Sequence, residues 1–456
     1  MDTTDRFGQP TPDLAIVHCT ALVGTEGGEA RFLGDATIEI SGGRITRIIG
    51  AGEPTAAREV IDADGMVAMP GLVNTHCHAA MTLLRGAAED VRVTAWFNDY
   101  IWPMEVNLDE HAVYVGSLMA AAEMISCGVT TVADHYFFMD QAAQAFVDSG
   151  MRANLGWAFF SSQGDAGLAT SVEFAERWHG AADGRITTSI APHAPYTVSD
   201  EHLVAAATEA RRLGVKVHTH AAEDIVQTNV SLDTRGRTPI EVLDDTGVLD
   251  AGVIIAHGNG ILPGDIPLLA AHRDRVGVTH GPKGYLKFAL GPLTPIPALL
   301  EAGVPVGYCT DGVASNNTLD ILESMRITAI VQKQLADDAT FFRTGDALRM
   351  AGPGSAAVMG AAGELGELVE GARADLILVD VSGFHCQPLH DLAAALVYSL
   401  QPSDVRTTIV DGKVLMRDRQ LLTIDRPSLV ADFRAVAQHI TDRTHGRTIQ
   451  DYPRNN

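Results

Sequence analysis

In the stretch PGLVNTHCHAAMTLLRG, Pro70 to Gly86, an apolar run ends in His76 and His78, one residue apart. Side chains two apart on a strand point to the same side, so these imidazoles project together. Paired imidazoles suit a borderline cation such as zinc. Other short apolar runs end the same way: at Asp134 and His135, at His193, at His218 and His220, at His257, at His280 and at Asp311. His220 can supply a third nitrogen and Asp311 a carboxylate oxygen. Three histidines, an aspartate and a water make a catalytic metal site with an open position, where the ion lowers the pKa of the water toward neutrality. His218 competes with His220 for the third place. Glu223, three residues past His220 in HTHAAE, favours His220 because it sets an acid beside the ion. Glu223 is then the natural carrier of the water's proton. His257 is placed to orient or polarise that water, His218 is expected either to support a ligand from behind or to be structural, and His135 is within reach of the same mouth.

The elements that must bring these groups together form a repeating series. Eight apolar runs rich in β-branched residues read as strands: GMVAMPGLVNTH, GVTTVAD, RANLGWAF, RITTSIAPH, VKVHTH, GVIIAHG, RVGVTH and VPVGYCTD. Helical stretches such as DEHAVYVGSLMAAAEMIS and SDEHLVAAATEARRLG lie between them, several with a Ser, Thr or Asp cap and a closing Gly. Eight β/α units argue for a parallel (β/α)8 TIM barrel, whose strand C-termini open on one catalytic face. An open doubly wound sheet is disfavoured, since no Gly-rich phosphate turn follows the first strand. Strand-like segments at both chain ends, with turns at Ser41-Gly42-Gly43 and Asp411-Gly412, are expected to pair into one small β-sandwich. The expected organisation is residues 1–68 in the sandwich, 69–363 in a distorted barrel, and 364–456 in the sandwich plus a terminal helix.

Composition agrees with a globular protein. Of 456 residues, 46% are apolar and 20% charged. The formal charge of −24 is spread along the chain, which disfavours a phosphate-backbone partner, so no nucleic acid is expected. The five cysteines are scattered and fit reduced thiols. The polar N-terminus does not read as a signal peptide, and no apolar run approaches the roughly 20 residues of a membrane span. A cytoplasmic protein with no membrane association is expected.

The words PGLVNTHCHAAMTLLRG, HTHAAE, IIAHG and CTDGVASNN resemble the amidohydrolase superfamily, and within it the nucleobase and nucleoside deaminase branch. S-adenosylhomocysteine/methylthioadenosine deaminases are nearest, and related chlorohydrolases share the pattern. The resemblance covers most of the chain. It implies metal ligation by His76, His78, His220 and Asp311, proton transfer by Glu223 and a water-facing His257. Binuclear relatives carry a carboxylated lysine at the end of strand four; RITTSIAPHAP has none, so one divalent ion is implied. Zinc is the expected ion, though iron or manganese would tolerate these ligands. The resemblance also implies substrate contacts from Trp96 and Glu105 to ribose hydroxyls and from His193 to a purine. Trp157, also expected at the substrate, and Leu168 stand where homocysteine-binding relatives carry arginines, which argues against a buried substrate carboxylate. In HGPKGYLKF the usual Ser-Asn pair is replaced around Lys283 to Tyr285, and Tyr285 is placed at the substrate.

The implied activity is hydrolytic deamination of an amino-substituted heteroaromatic ring: an adenosine- or methylthioadenosine-type nucleoside, a pterin or a guanine-like base. Water activated at the metal attacks the ring carbon and ammonia leaves. One alternative keeps the site and displaces chloride or an alkylamine from an s-triazine. Another is a metal-binding barrel without catalysis. Relatives are commonly homodimers or larger homo-oligomers, and the same is expected here.

Overall fold

The computed structural model describes residues 11–51 and 55–452. The polar start of the chain, residues 1–10, lies outside them. All eight expected strand regions form one parallel sheet: β1 (Leu72–Cys77), β2 (Val129–Tyr136), β3 (Arg152–Phe159), β4 (Ile186–Pro192), β5 (Lys216–Ala221), β6 (Val253–His257), β7 (Val276–His280) and β8 (Val306–Tyr308). Each pairs with its sequence neighbour. The ring closes where Thr75 Oγ1 donates to the Tyr308 carbonyl (2.8 Å) and Asp311 N–H donates to the His76 carbonyl (3.1 Å). Buried Val, Ile, Ala and Thr side chains line these strands, as expected where helices cover the sheet. The helices begin and end on the expected signals. Asp109 accepts from Ala112 N–H at the start of Glu110–Ser126, and Asp200–Leu213 runs from Ser199 to a left-handed Gly214.

The chain ends build a second, nine-stranded sheet. Its centre joins Met66–Pro70 antiparallel to Leu376–Asp380, and Ile16, Ile38, Ile45, Leu376 and Ile409 fill its own core. Arg152, at the start of β3, ties it to the barrel: Nε donates to Asp375 Oδ2 (2.7 Å), and Nη2 donates to Asp375 Oδ1 (3.0 Å) and Asp411 Oδ1 (3.3 Å).

GMVAMPGLVNTH, expected as one strand, is two. It breaks at Gly71, where the chain passes from the outer sheet into the barrel. A Cβ at Gly71 would lie 2.2 Å from Thr130 Oγ1, so only glycine permits this crossing. The terminal helix Arg426–Ile440 packs against Glu110–Ser126 of the barrel, with His111 Nε2 and Asp432 Oδ1 3.1 Å apart. Among the described residues no helix is long and apolar enough to cross a membrane.

Candidate active site

The C-terminal ends of the barrel strands converge on one cavity. It is lined by His78, His135, His193, His220, Glu223, His257 and Asp311, and on its far wall by Met81, Val93, Trp96, Phe97, Phe288 and Leu290. His76 lies beneath it, fully buried. The backbone at two strand ends of this mouth is unusual. His257 has φ 80° and Asp311 φ 59°, a left-handed conformation that non-glycine residues rarely adopt and that recurs at functional sites.

The imidazoles are held from behind. His78 Nδ1 meets the His135 carbonyl at 2.5 Å, His220 Nδ1 meets the His193 carbonyl at 2.8 Å, and His76 Nδ1 meets His218 Nε2 at 2.9 Å. Carbonyls are acceptors, so His78 and His220 carry their protons on Nδ1 and present a bare Nε2 inward. The three Nε2 atoms and Asp311 converge. Asp311 Oδ1 lies 3.4 Å from His76 Nε2 and 3.2 Å from His78 Nε2, and His78 Nε2 lies 3.3 Å from His220 Nε2. Donors about 3.3 Å apart are what four ligands at roughly 2.0–2.1 Å from one cation require. His76 Nε2 is buried with no hydrogen-bond partner, as an atom reserved for a ligand would be.

The electrostatics suit a cation. Burial pushes His76 down to about 3 and His220 well below its usual range, so both are neutral and ready to ligate. Burial opposes ionisation of Asp311, but the facing His76 and His78 rings outweigh it and hold the carboxyl well below the usual carboxylate range. The donor set therefore fits a divalent ion.

Glu223 stands on the turn after β5. Its N–H donates to Gln227 Oε1 (3.3 Å) and its carbonyl accepts from Asn259 Nδ2 (2.8 Å), while its own Oε1 is buried without a partner. Burial pushes its carboxyl up to about 8. A carboxyl of that pKa, aimed into the cavity, exchanges a proton readily near neutral pH. His257 Nδ1 faces the Tyr285 hydroxyl at 3.3 Å, which leaves Nε2 for the site.

The Amidohydrolase family profile matches residues 67–415. The chain belongs to the amidohydrolase family. It is 40% identical to a 5′-deoxyadenosine deaminase of Methanosarcina acetivorans over 434 residues, 94% of this chain and 99% of that one. It is 41% identical to a 5-methylthioadenosine/S-adenosylhomocysteine deaminase of Desulforudis audaxviator, over 90% of this chain and 96% of the relative. A solved adenosine deaminase from Xanthomonas campestris, with bound zinc, superposes with a TM-score of 0.88 at 33% identity, over 94% of this chain and 99% of that one.

In this amidohydrolase the expected substrate residues fall in two groups. Trp96, Glu105, His193 and Tyr285 line the cavity. Glu105 Oε1 accepts from Tyr136 Oη at 2.5 Å, and burial raises its pKa to about 7. His193 Nδ1 pairs with Thr197 Oγ1 (2.8 Å), and its ring lies 4.7 Å from that of Phe160. Trp157 is the correction. It packs on Phe174 of the outer helix Asp165–Trp178, 6.0 Å between ring centroids, while its neighbour Ala158 lines the cavity. Alternation along β3 turns adjacent side chains to opposite faces, so only one of the two can look inward. Leu168 sits on that same outer helix and is not among the lining residues.

Sequence reasoning gave His135 too little weight and missed Asn259 and Thr294, whereas His218 stands behind a histidine as expected. His135 lines the cavity, and its Nε2 is buried without a partner. The signal was its place beside Asp134 at a strand end. His218 orients His76 through a hydrogen bond that the H-x-H spacing of β5 permits. Asn259 and Thr294 join the site from loops no motif marks: Thr294 N–H donates to Asn259 Oδ1 (2.9 Å) and Thr294 Oγ1 donates to the His257 carbonyl (2.9 Å).

Proposed function

We propose that this amidohydrolase is a hydrolytic deaminase of an adenosine-type nucleoside whose 5′ substituent is small and uncharged, working with one zinc ion held by His76, His78, His220 and Asp311. The reading is carried by one observation: three Nε2 atoms and the Asp311 carboxylate converge at the cavity that the buried, unpartnered Oε1 of Glu223 also lines. A divalent ion there supplies Lewis acidity and lowers the pKa of water toward neutrality.

The chain's own residues supply the rest. Glu223 Oε1 accepts the proton that the attacking water releases and delivers it to the ring nitrogen beside the reacting carbon. Glu223 then moves the remaining proton of the added hydroxyl to the amino group, which departs as ammonia while the ring retains the water's oxygen as a carbonyl. His257, fixed through Nδ1 by Tyr285, orients the water. Phe160 and His193 form a wall on which a flat ring stacks. Glu105, braced by Tyr136, is the acceptor suited to ribose hydroxyls. The far wall decides the substituent. It is apolar, and no arginine or lysine is among the lining residues described. A buried homocysteine carboxylate would be unpaired there and costly, whereas a methyl or methylthio group gains from burial.

The test is ammonia release by zinc-loaded protein from 5′-deoxyadenosine, 5′-methylthioadenosine, S-adenosylhomocysteine, guanine and a pterin, with chloride release from a chloro-s-triazine in parallel. We expect the two small nucleosides to lead in kcat/KM by at least about tenfold over S-adenosylhomocysteine. Absence of ammonia from every amine would overturn the reading, and chloride release alone would replace it with the triazine one.

A further inference from the structure

We propose that Tyr452, in the C-terminal segment, is a positioning residue for this site, locking the aromatic cavity wall against the Glu223 turn. The residue lies beyond the terminal helix and far in sequence from every strand end, yet it is only 7% exposed. Its ring stacks on Phe97, 4.6 Å between centroids at 7°, and meets Tyr196 edge-on at 5.7 Å. Its backbone is read by one side chain: Tyr452 N–H donates to Asn98 Oδ1 (2.8 Å) and Asn98 Nδ2 donates to the Tyr452 carbonyl (3.1 Å). Its hydroxyl accepts from Gln227 Nε2 (3.4 Å), and Gln227 Oε1 in turn holds the Glu223 N–H.

These contacts bridge two separate parts of the site. Phe97 and Asn98 belong to Trp96–Ile101, a wide helical turn that continues into Trp102–Glu105 and presents Trp96, Phe97, Trp102 and Glu105 to the cavity. Gln227 belongs to Ile225–Arg235, the helix that starts just after Glu223. The rest of the C-terminal segment is fastened to the same wall. Asn107 Nδ2 donates to the carbonyls of Ile440 (3.0 Å) and Asp442 (2.7 Å), Arg443 Nη1 donates to the Asp99 carbonyl (2.5 Å), and the Arg443 guanidinium sits 4.3 Å over the Tyr100 ring. Tyr452 itself is not among the residues lining the cavity. Its contact to Gln227, at 3.4 Å, is the weakest of the set, so it acts mainly through Phe97 and Asn98 on the ring-binding wall, on substrate affinity more than on the chemical step. Single π-type turns are rare and recur at functional sites, and here the ring-bearing face of that turn is the part the C-terminal segment clamps from outside.

The kinetic test rests on the deaminase reading; the structural one does not. In full-length zinc-loaded enzyme, Tyr452→Ala should raise KM for 5′-deoxyadenosine about tenfold and leave kcat within about twofold, the size that loss of a stacked ring pair gives. Tyr452→Phe keeps the stacked ring and should stay within about threefold of wild-type KM. Asn98→Ala, which removes the anchor from the other side, should reproduce the KM increase should Tyr452→Ala fail to fold. Amide hydrogen exchange over residues 96–107 should quicken in Tyr452→Ala and Asn98→Ala relative to wild type. Unchanged KM with unchanged exchange overturns the proposal, as does a loss of kcat at constant KM. Wild-type enzyme inactive on every nucleoside defeats the deaminase reading alone, and exchange then decides the role of Tyr452.

Discussion

At Glu223 the proposed chemistry and the stability of the fold pull in opposite directions. Glu223→Gln keeps the shape and removes the exchangeable acid, so turnover should fall by roughly 10²–10⁴ while nucleoside binding, followed by calorimetry, persists. In protein stripped of metal the same substitution should stabilise the fold. Burial raises the folded-state pKa of Glu223 from 4.5 to about 8. Between those values the folded chain holds a proton that the unfolded chain has released. The contribution to stability is thus full below about pH 4.5 and is lost as pH rises through 8. Glutamine carries no such loss. The stripped variant should melt above stripped wild type at pH 8–9, by an amount on the order of a few kcal/mol, and the gap should close toward pH 4. Thermal melts across pH read this directly, and a constant gap would remove Glu223 from the account.

At the scale of elements, the barrel delivers side chains and the loops aim them. β5 and β6 end side by side, Ala221 opposite His257, and the turns beyond them are pinned by Asn259 and Thr294. Asn259→Ala would leave the Glu223 carbonyl and the Thr294 N–H short of partners in a buried setting, a cost of about 1–3 kcal/mol. We expect a lower urea midpoint and, because the Glu223 turn loses its brace, a kcat reduced more than about tenfold with metal content unchanged. Equal kcat in a destabilised variant would show that Gln227 alone fixes that turn.

At the scale of the molecule, two couplings join parts that are distant in sequence. One is the proposed cation. The ligands proposed for it, from β1, from β5 and from the turn after β8, are far apart in the unfolded chain, so its binding free energy would be folding free energy. Chelation should abolish turnover and lower the melting temperature, and zinc should restore both. The other is Arg152, which reaches from the barrel into the outer sheet. Arg152→Met leaves Asp375, 3% exposed, without its cationic partner. Stability should fall by about 3–5 kcal/mol in denaturant titration, far more than an exposed ion pair would cost.

The sequence alone determined the barrel and where its catalytic face lies. Apolar, β-branched runs with helical spacers leave a parallel sheet few alternatives, and polar residues at successive strand ends have one rim on which to gather. It also determined which residues gather there, since His76, His78, His220, Asp311, Glu223 and His257 each sit at or just past a strand end. Only the tertiary structure decided which way the neighbouring side chains turn and what stands behind them. Trp157 and Ala158 are adjacent, and the phase of β3 sends the tryptophan outward. Gly71 splits an apolar run that reads as one strand because Thr130, from another strand, leaves no room for a Cβ. Asn259 and Thr294 join the site, and Tyr452 meets its wall, through contacts across long sequence separations, and no local pattern carries that information. Periodicity records which face of an element is buried; it does not record what that face is buried against.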